Sequence, residues 1–276
     1  MTLRPVDRVI LLYIAVVTVV ALARLPENPG VAGVLVANAL VVTLVFLVNR
    51  PGLGPLGRGF ADLYPLFILL ALYGALDLLA GHGAVVTHDA LVQRWEAAIF
   101  GEQVSREWWH RAPSEFWSTL LHAVYFSYYL VIPAGPLYLL WKGDHKNLRR
   151  VVLAEVVTFL VCYLVFIFFP VAGPYYEFPR PSATFLDNWA ARLVYEVLSE
   201  GSAYGAAFPS SHVAGMITAS VLSARGSRPL GLVLGMPTVL LTVGVVYCQM
   251  HYGVDVLGGA LVAGVVIVTV TRDRDP

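Results

Sequence analysis

Apolar residues run along this chain in long unbroken stretches, and polar residues collect in the segments between them. Eight stretches, at about residues 8–23, 31–48, 62–81, 116–141, 148–169, 210–224, 230–247 and 254–271, predict helices of a length suited to crossing a bilayer. Proline and glycine clusters at 26–30 and 51–59 mark the first turns between them. The stretch that begins at Val9 lacks a small-residue cleavage site and leads into further spans, so it reads as a retained helix. Two intervening segments, 82–115 and 170–209, are long. In the first, Leu91, Trp95 and Ile99 recur every four residues, with Gln93, Arg94 and Glu96 largely on other faces, which suits a helix lying in the membrane interface. Trp108, Trp109 and Trp117 fit an aromatic belt at that level. The second segment is rich in proline, glycine and tyrosine and leads into the sixth span. The pattern predicts an all-α integral membrane protein of about eight transmembrane helices plus the interfacial helix. Residues 1–60 supply two N-terminal helices, and 61–276 a six-helix membrane core.

Composition agrees: 58% of the 276 residues are hydrophobic, only 13% are charged, and the mean hydropathy is +0.72. A soluble domain would carry about a quarter charged residues. Net charge is zero, which offers no basic surface for nucleic acid. The basic residues are unevenly placed. If the N-terminus is cytoplasmic, the inner segments hold Arg4, Arg8, Arg50, Arg58, Lys142, Lys146, Arg149, Arg150, Arg225, Arg228, Arg272 and Arg274. The longer outer ones hold only Arg24, Arg94, Arg106, Arg111, Arg180 and Arg192. That asymmetry is the positive-inside pattern, and a miscount of one span would invert every later loop. It places both termini in the cytoplasm, with a bacterial cytoplasmic membrane as the expected location. Cys162 and Cys248 lie in or at the end of apolar runs, without metal-ligand spacing. Nothing in a single chain speaks to oligomerisation.

Polar groups at membrane spans are expensive and call for a reason. They are densest where the sixth and eighth spans begin. Before the sixth stands Phe208-Pro209-Ser210-Ser211-His212, in which proline and serine suit a first helical turn. The free N–H groups and positive dipole end of a helix start favour a phosphate. Before the eighth, His251 and Asp255 are four apart and share a helix face. A carboxylate holding one imidazole nitrogen leaves the other free to attack. Both motifs emerge on the outer side under the charge-based topology. The bland alternatives are a structural hydrogen bond at a helix start, or a metal site made from the two histidines and the aspartate.

Taken together, Phe208 to His212 and His251-Tyr252, Asp255 and Gly259 resemble the motifs of the type-2 phosphatidic acid phosphatase superfamily. The resemblance implies a phosphatase-type six-helix core that acts on a phosphate ester without metal or cofactor. By the same resemblance His251 is the nucleophile and forms a phosphohistidine, Asp255 orients it, and His212 protonates the leaving alkoxide. Ser210 and the Ser211 amide are then expected to bind phosphate oxygens. Two positions depart from the usual pattern. Many members carry Lys-(six residues)-Arg-Pro before this site; here Arg180-Pro181 is present but the lysine position is Gly173. Many carry Ser-Arg six residues ahead of the nucleophile, where this chain has Gly244 and Val245. Arg180 therefore becomes the main phosphate-binding cation. Softer aromatic patterns, Trp95 to Gly101, His122 to Tyr129 and Phe169 to Tyr176, look like the inositol phosphorylceramide synthase branch.

The expected partners are a phosphorylated lipid and the bilayer. Three functions compete: a lipid phosphatase, a phosphotransferase passing a phospho-head group such as inositol phosphate to a lipid alcohol, and a non-enzymatic transporter or scaffold on the same fold. His122, Tyr125 and Tyr128, three and four apart, are candidates for a head-group pocket or for plain aromatic packing. Tyr175 and Tyr176 read as interfacial anchors. Asp77 and Glu155 lie within spans without an assigned catalytic part.

Overall fold

The computed structural model describes residues 3–81 and 85–272. Residues 82–84, Arg274 and the side chain of Arg272 lie outside the described residues. Three helices open the chain, α1 (Pro5–Arg24), α2 (Ala32–Val48) and α3 (Pro55–Ala80). Two short ones follow, α4 (Asp89–Phe100) and α5 (Val104–Arg111), then the long α6 (Glu115–Trp141) and α7 (His145–Phe168). A second excursion holds α8 (Pro174–Glu177), α9 (Ala183–Leu186) and α10 (Trp189–Gly201). The chain closes with α11 (Ser211–Gly226), α12 (Arg228–Tyr247) and α13 (Gly253–Arg272). The described residues contain no strand beyond one parallel bridge, Val171 to Ala206.

Seven helices, α1, α2, α3, α6, α7, α12 and α13, are long and apolar enough to cross a membrane. Their outward faces carry Leu12, Val36, Leu40, Phe67, Leu130, Leu232 and Leu261 fully or largely uncovered. Apolar surface of that extent belongs against lipid, and the protein is an integral membrane protein. The sixth expected span is different. α11 has only 16 residues, about 24 Å of helix against roughly 30 Å of hydrocarbon. It packs on α6, α7, α12 and α13 at once. Small residues permit this: a Cβ on Gly215 would come within 2.7 Å of the Phe159 ring. Thr218 bonds to Thr158 at 3.0 Å and Ser220 to Thr238 at 2.7 Å. A helix sheathed in protein satisfies its polar groups locally and need not reach both faces.

The alternation of the helices brings the starts of α11 and α13 to the same end of the bundle. The opposite end gathers Arg4, Arg50, Arg58, Lys142, Arg149, Arg225 and Arg228. At the site end, the bridge fixes the loop after α7 to the strand-like run before α11 through Val171 N to Gly205 O and Ala207 N to Val171 O. α4 buries Asp89, Val92 and Glu96 and leaves Trp95 and Ile99 exposed, the apolar face that an interfacial helix turns to lipid. Two expectations need correction here. Trp109 is not in a belt; it is 5% exposed and donates its indole N–H to Gln249 Oε1 at 2.9 Å. α10 arises inside a segment that proline and glycine marked as loop, since Ala190, Ala191 and Val194 still give it one buried face against α6.

Candidate active site

α12 ends in a turn that aims His251. Cys248 N bonds to Gly244 O at 2.8 Å, and the N–H groups of Met250 and His251 share Val245 O at 2.9 Å. Gln249 takes the left-handed conformation, φ 60°, that usually goes to glycine at a helix end. Such a residue costs on the order of 1 kcal/mol of strain. Its side chain offsets this by accepting from Trp109 and donating to Pro179 O at 2.9 Å and Pro174 O at 3.4 Å. The chain then enters α13. Asp255 Oδ2 accepts the Tyr252 N–H at 2.8 Å and faces His251 Nδ1 at 3.3 Å. A carboxylate can only accept, so Nδ1 carries the proton and Nε2 keeps a free lone pair. His251 is 4% exposed and Asp255 fully buried.

Ser210 caps α11 by accepting from Val213 N at 3.3 Å, and its own N–H bonds to the backbone carbonyl of Asp255 at 3.0 Å. The two motifs are thus joined through the main chain. Close approach depends on Gly259, where a Cβ would fall 2.5 Å from Ser210 O. The join sets the imidazole of His212 5.6 Å from that of His251, centre to centre. Tyr125 and Tyr128 pack on His212 at 4.7 and 4.5 Å.

A cavity of about 350 Å³ opens beside the two histidines. Ser211, His212 and His251 line it, with Tyr73, Tyr125, Tyr128, Tyr129, Tyr175 and Tyr176 among its walls; among the described residues no lysine, arginine or carboxylate does. Tyr125 and Tyr128 therefore reach the cavity, and so do Tyr175 and Tyr176. His122 does not: it is buried, with Nδ1 at 2.7 Å from Ser118 O. Ser210 lies behind the wall in its capping bond. Arg180 also stands back, its guanidinium over the rings of Tyr175 at 5.7 Å and Tyr195 at 5.4 Å. Among the described residues no group of three or more His, Cys, Asp or Glu is placed to hold a metal ion.

Residues 90–269 match the model of the PAP2 superfamily. The chain belongs to the PAP2 superfamily. No curated protein and no solved structure matches it.

The PAP2 segment holds His212, His251, Asp255 and most of the cavity wall, while Tyr73 comes from α3, which with α1 and α2 precedes the segment. Just ahead of that segment stands a residue the sequence reading passed over. Asp89, 3% exposed, accepts the N–H groups of Ala172 and Gly173 at 2.8 Å each and the Tyr252 hydroxyl at 3.0 Å. It thereby pins the loop after α7 to the residue next to His251. Gly173, at the usual lysine position, has φ 93°, and a Cβ there would come within 2.8 Å of Ala207 Cβ. Glu96 is likewise buried and accepts the Ser105 N–H at 3.1 Å. Burial lifts its carboxyl to about 7, against the pull of the Ser105 and Gly253 amides. Burial, with Asp89 beside it, raises the Tyr252 phenol as well. A single acid in the pattern of α4 reads as a solvated face, so neither carried a sequence signal of its function.

Proposed function

We propose that this PAP2 protein hydrolyses a phosphate ester or diphosphate of a lipid through a phosphohistidine intermediate at the extracytoplasmic face. The observation that carries the proposal is the pairing of His251 Nδ1 with Asp255 while the His212 ring stands 5.6 Å away over the same cavity. Nε2 of His251 attacks phosphorus, and the bond from phosphorus to the lipid oxygen breaks. His212 gives that oxygen its proton. Water then attacks the phosphohistidine, His212 takes the water proton, and inorganic phosphate leaves. Ser211 at the cavity wall and the free amides of the first turn of α11 supply donors for the phosphoryl oxygens. Arg180, Ser210 and the aromatic wall of Tyr125 and Tyr128 support that phosphate from behind. The gathering of arginines at the opposite end of the bundle supports the outward orientation.

A second reading is a phosphotransferase, in which a lipid alcohol replaces water. The tyrosine-walled cavity favours it, since hydroxyl groups beside the imidazoles suit an alcohol head group. The two share the first half-reaction and differ in the acceptor. Incubation of the purified protein with labelled phosphorylated lipids, with and without an alcohol acceptor, separates them. Hydrolysis gives free phosphate and no labelled lipid product; transfer gives the labelled lipid. His251→Ala abolishes both, and loss of the general acid in His212→Ala slows turnover by roughly 10²- to 10⁴-fold. Full turnover by His251→Ala on every lipid of the panel would overturn both readings.

A further inference from the structure

At the end of the bundle opposite the histidines, the structure holds a second pocket of about 310 Å³, walled by Arg4, Arg50, Arg58 and Arg149 around Asp62. Asp62 is 3% exposed and binds Arg149 Nε at 2.8 Å and His145 Nδ1 at 3.1 Å, with Arg4 at 3.7 Å. Arg4 is further fixed by Asp7, by the Ala61 carbonyl and by the ring of Tyr64 beneath it at 5.3 Å. Four guanidinium groups thus face Asp62 in the wall and Asp7 behind it, which leaves two positive charges. They belong to Arg50 and Arg58, exposed side chains with no carboxylate partner among the described residues; Arg58 bonds only to Leu53 O, at 3.1 Å. Among the described residues nothing holds the terminal nitrogens of Arg149, since Asp62 takes only its Nε.

We propose that this pocket binds the phosphate of an anionic phospholipid. Guanidinium forks match phosphate oxygens, and two uncompensated cations match a phosphate charge. Basic pockets among membrane helices favour such head groups. The lipid source, rather than free phosphate, follows from the neighbouring surface. Leu56, 92% exposed, and Phe60, 51% exposed, flank Arg58 on α3, so apolar side chains meet acyl chains where the arginines meet the head group. The pocket shares no residue with the cavity of the two histidines, and this proposal stands apart from the catalytic one.

The test uses the full chain carrying His251→Ala, so that added lipid is not turned over. Its thermal midpoint is followed in phosphatidylcholine nanodiscs, with increasing phosphatidylglycerol or with millimolar inorganic phosphate, and bound lipid is counted by native mass spectrometry. Phosphatidylglycerol raises the midpoint saturably and is retained in the spectrum. With Arg50→Gln and Arg58→Gln together, its affinity falls roughly thirtyfold, while Lys142→Gln, at the same end but outside the pocket, leaves it unchanged. The proposal is overturned if phosphatidylglycerol acts no differently from phosphatidylcholine, or if the double variant responds like its parent in both readouts. An equal shift from inorganic phosphate alone overturns the lipid source.

Discussion

Replacing Asp89 by asparagine tests how the site is supported, because the change keeps size and removes one acceptor. Oδ1 now accepts from Gly173 N at 2.8 Å and the Tyr252 hydroxyl at 3.0 Å, and Oδ2 from Ala172 N at 2.8 Å. Asparagine has one oxygen. If it serves Gly173 and Tyr252, its NH₂ meets the Ala172 N–H donor to donor. A hydrogen bond to a charged acceptor contributes about 1.5–3 kcal/mol and a stranded buried donor costs about 1–3 kcal/mol, so the variant loses roughly 2–4 kcal/mol. Part of that appears as lost order in the loop from Val171 to Gly173 and in Tyr252, next to His251. We expect a lower thermal midpoint, and kcat on a phosphorylated lipid down about ten- to a hundredfold, with little change in KM. Tyr252→Phe removes the phenol's bond to the Asp89 carboxylate, at about 1.5–3 kcal/mol, together with the bond the phenol accepts from Gln93 Nε2 at 3.0 Å. In an Asp89→Ala background the phenol keeps only the bond from Gln93, so Tyr252→Phe then costs less than in the parent, a coupling the double-mutant cycle measures. An Asp89→Asn protein with unchanged midpoint and kcat, or additivity in that cycle, refutes the reasoning.

Three further outcomes follow from neighbouring contacts. Gly259→Ala puts a methyl 2.5 Å from Ser210 O and forces α11 and α13 apart; overpacking of this kind costs about 1–3 kcal/mol, visible as a lower midpoint together with a loss of kcat. Gly173→Lys restores no activity, because the left-handed φ of 93° and Ala207 resist the side chain; increased turnover would contradict this. Glu96 holds its proton up to about 7, well above its ordinary 4.5, so between those values the folded protein binds more protons than the unfolded chain. Stability therefore falls as pH rises from about 4.5 to 7 and levels above, a total on the order of 3 kcal/mol. Glu96→Gln flattens that slope in thermal midpoints measured across pH, and an unchanged slope refutes the assignment.

The spans were legible because hydrocarbon imposes one rule on every helix that faces it. Seven of the eight expected stretches are such helices. α11 was legible as apolar and already as short, at 210–224, but not as a helix that stops short of spanning, since packing against four neighbouring helices replaces the length that lipid demands. The motif residues of the proposed site were legible for a different reason. Its chemistry fixes residue types at fixed offsets, and the structure brings His212, His251 and Asp255 together through Ser210 and Gly259. Asp89, Glu96 and Gln249 were not legible, because each acts through backbone groups far along the chain, and a backbone N–H has no sequence.

The loss of the usual lysine shows the limit from the other side. Gly173 reads in sequence as a missing cation, and a missing cation reads as a weaker phosphate site. The structure gives the position another use: its N–H is held by Asp89, and its φ of 93° turns the loop toward Pro174. A carboxylate now stands behind the loop, and a lysine entering there would have to displace the backbone that Asp89 holds. The exchange therefore reaches beyond one side chain, since the same carboxylate holds Tyr252 and, through it, the start of α13. In physical terms Gly173 is part of how His251 is held, and a lysine placed there alone would disturb that hold.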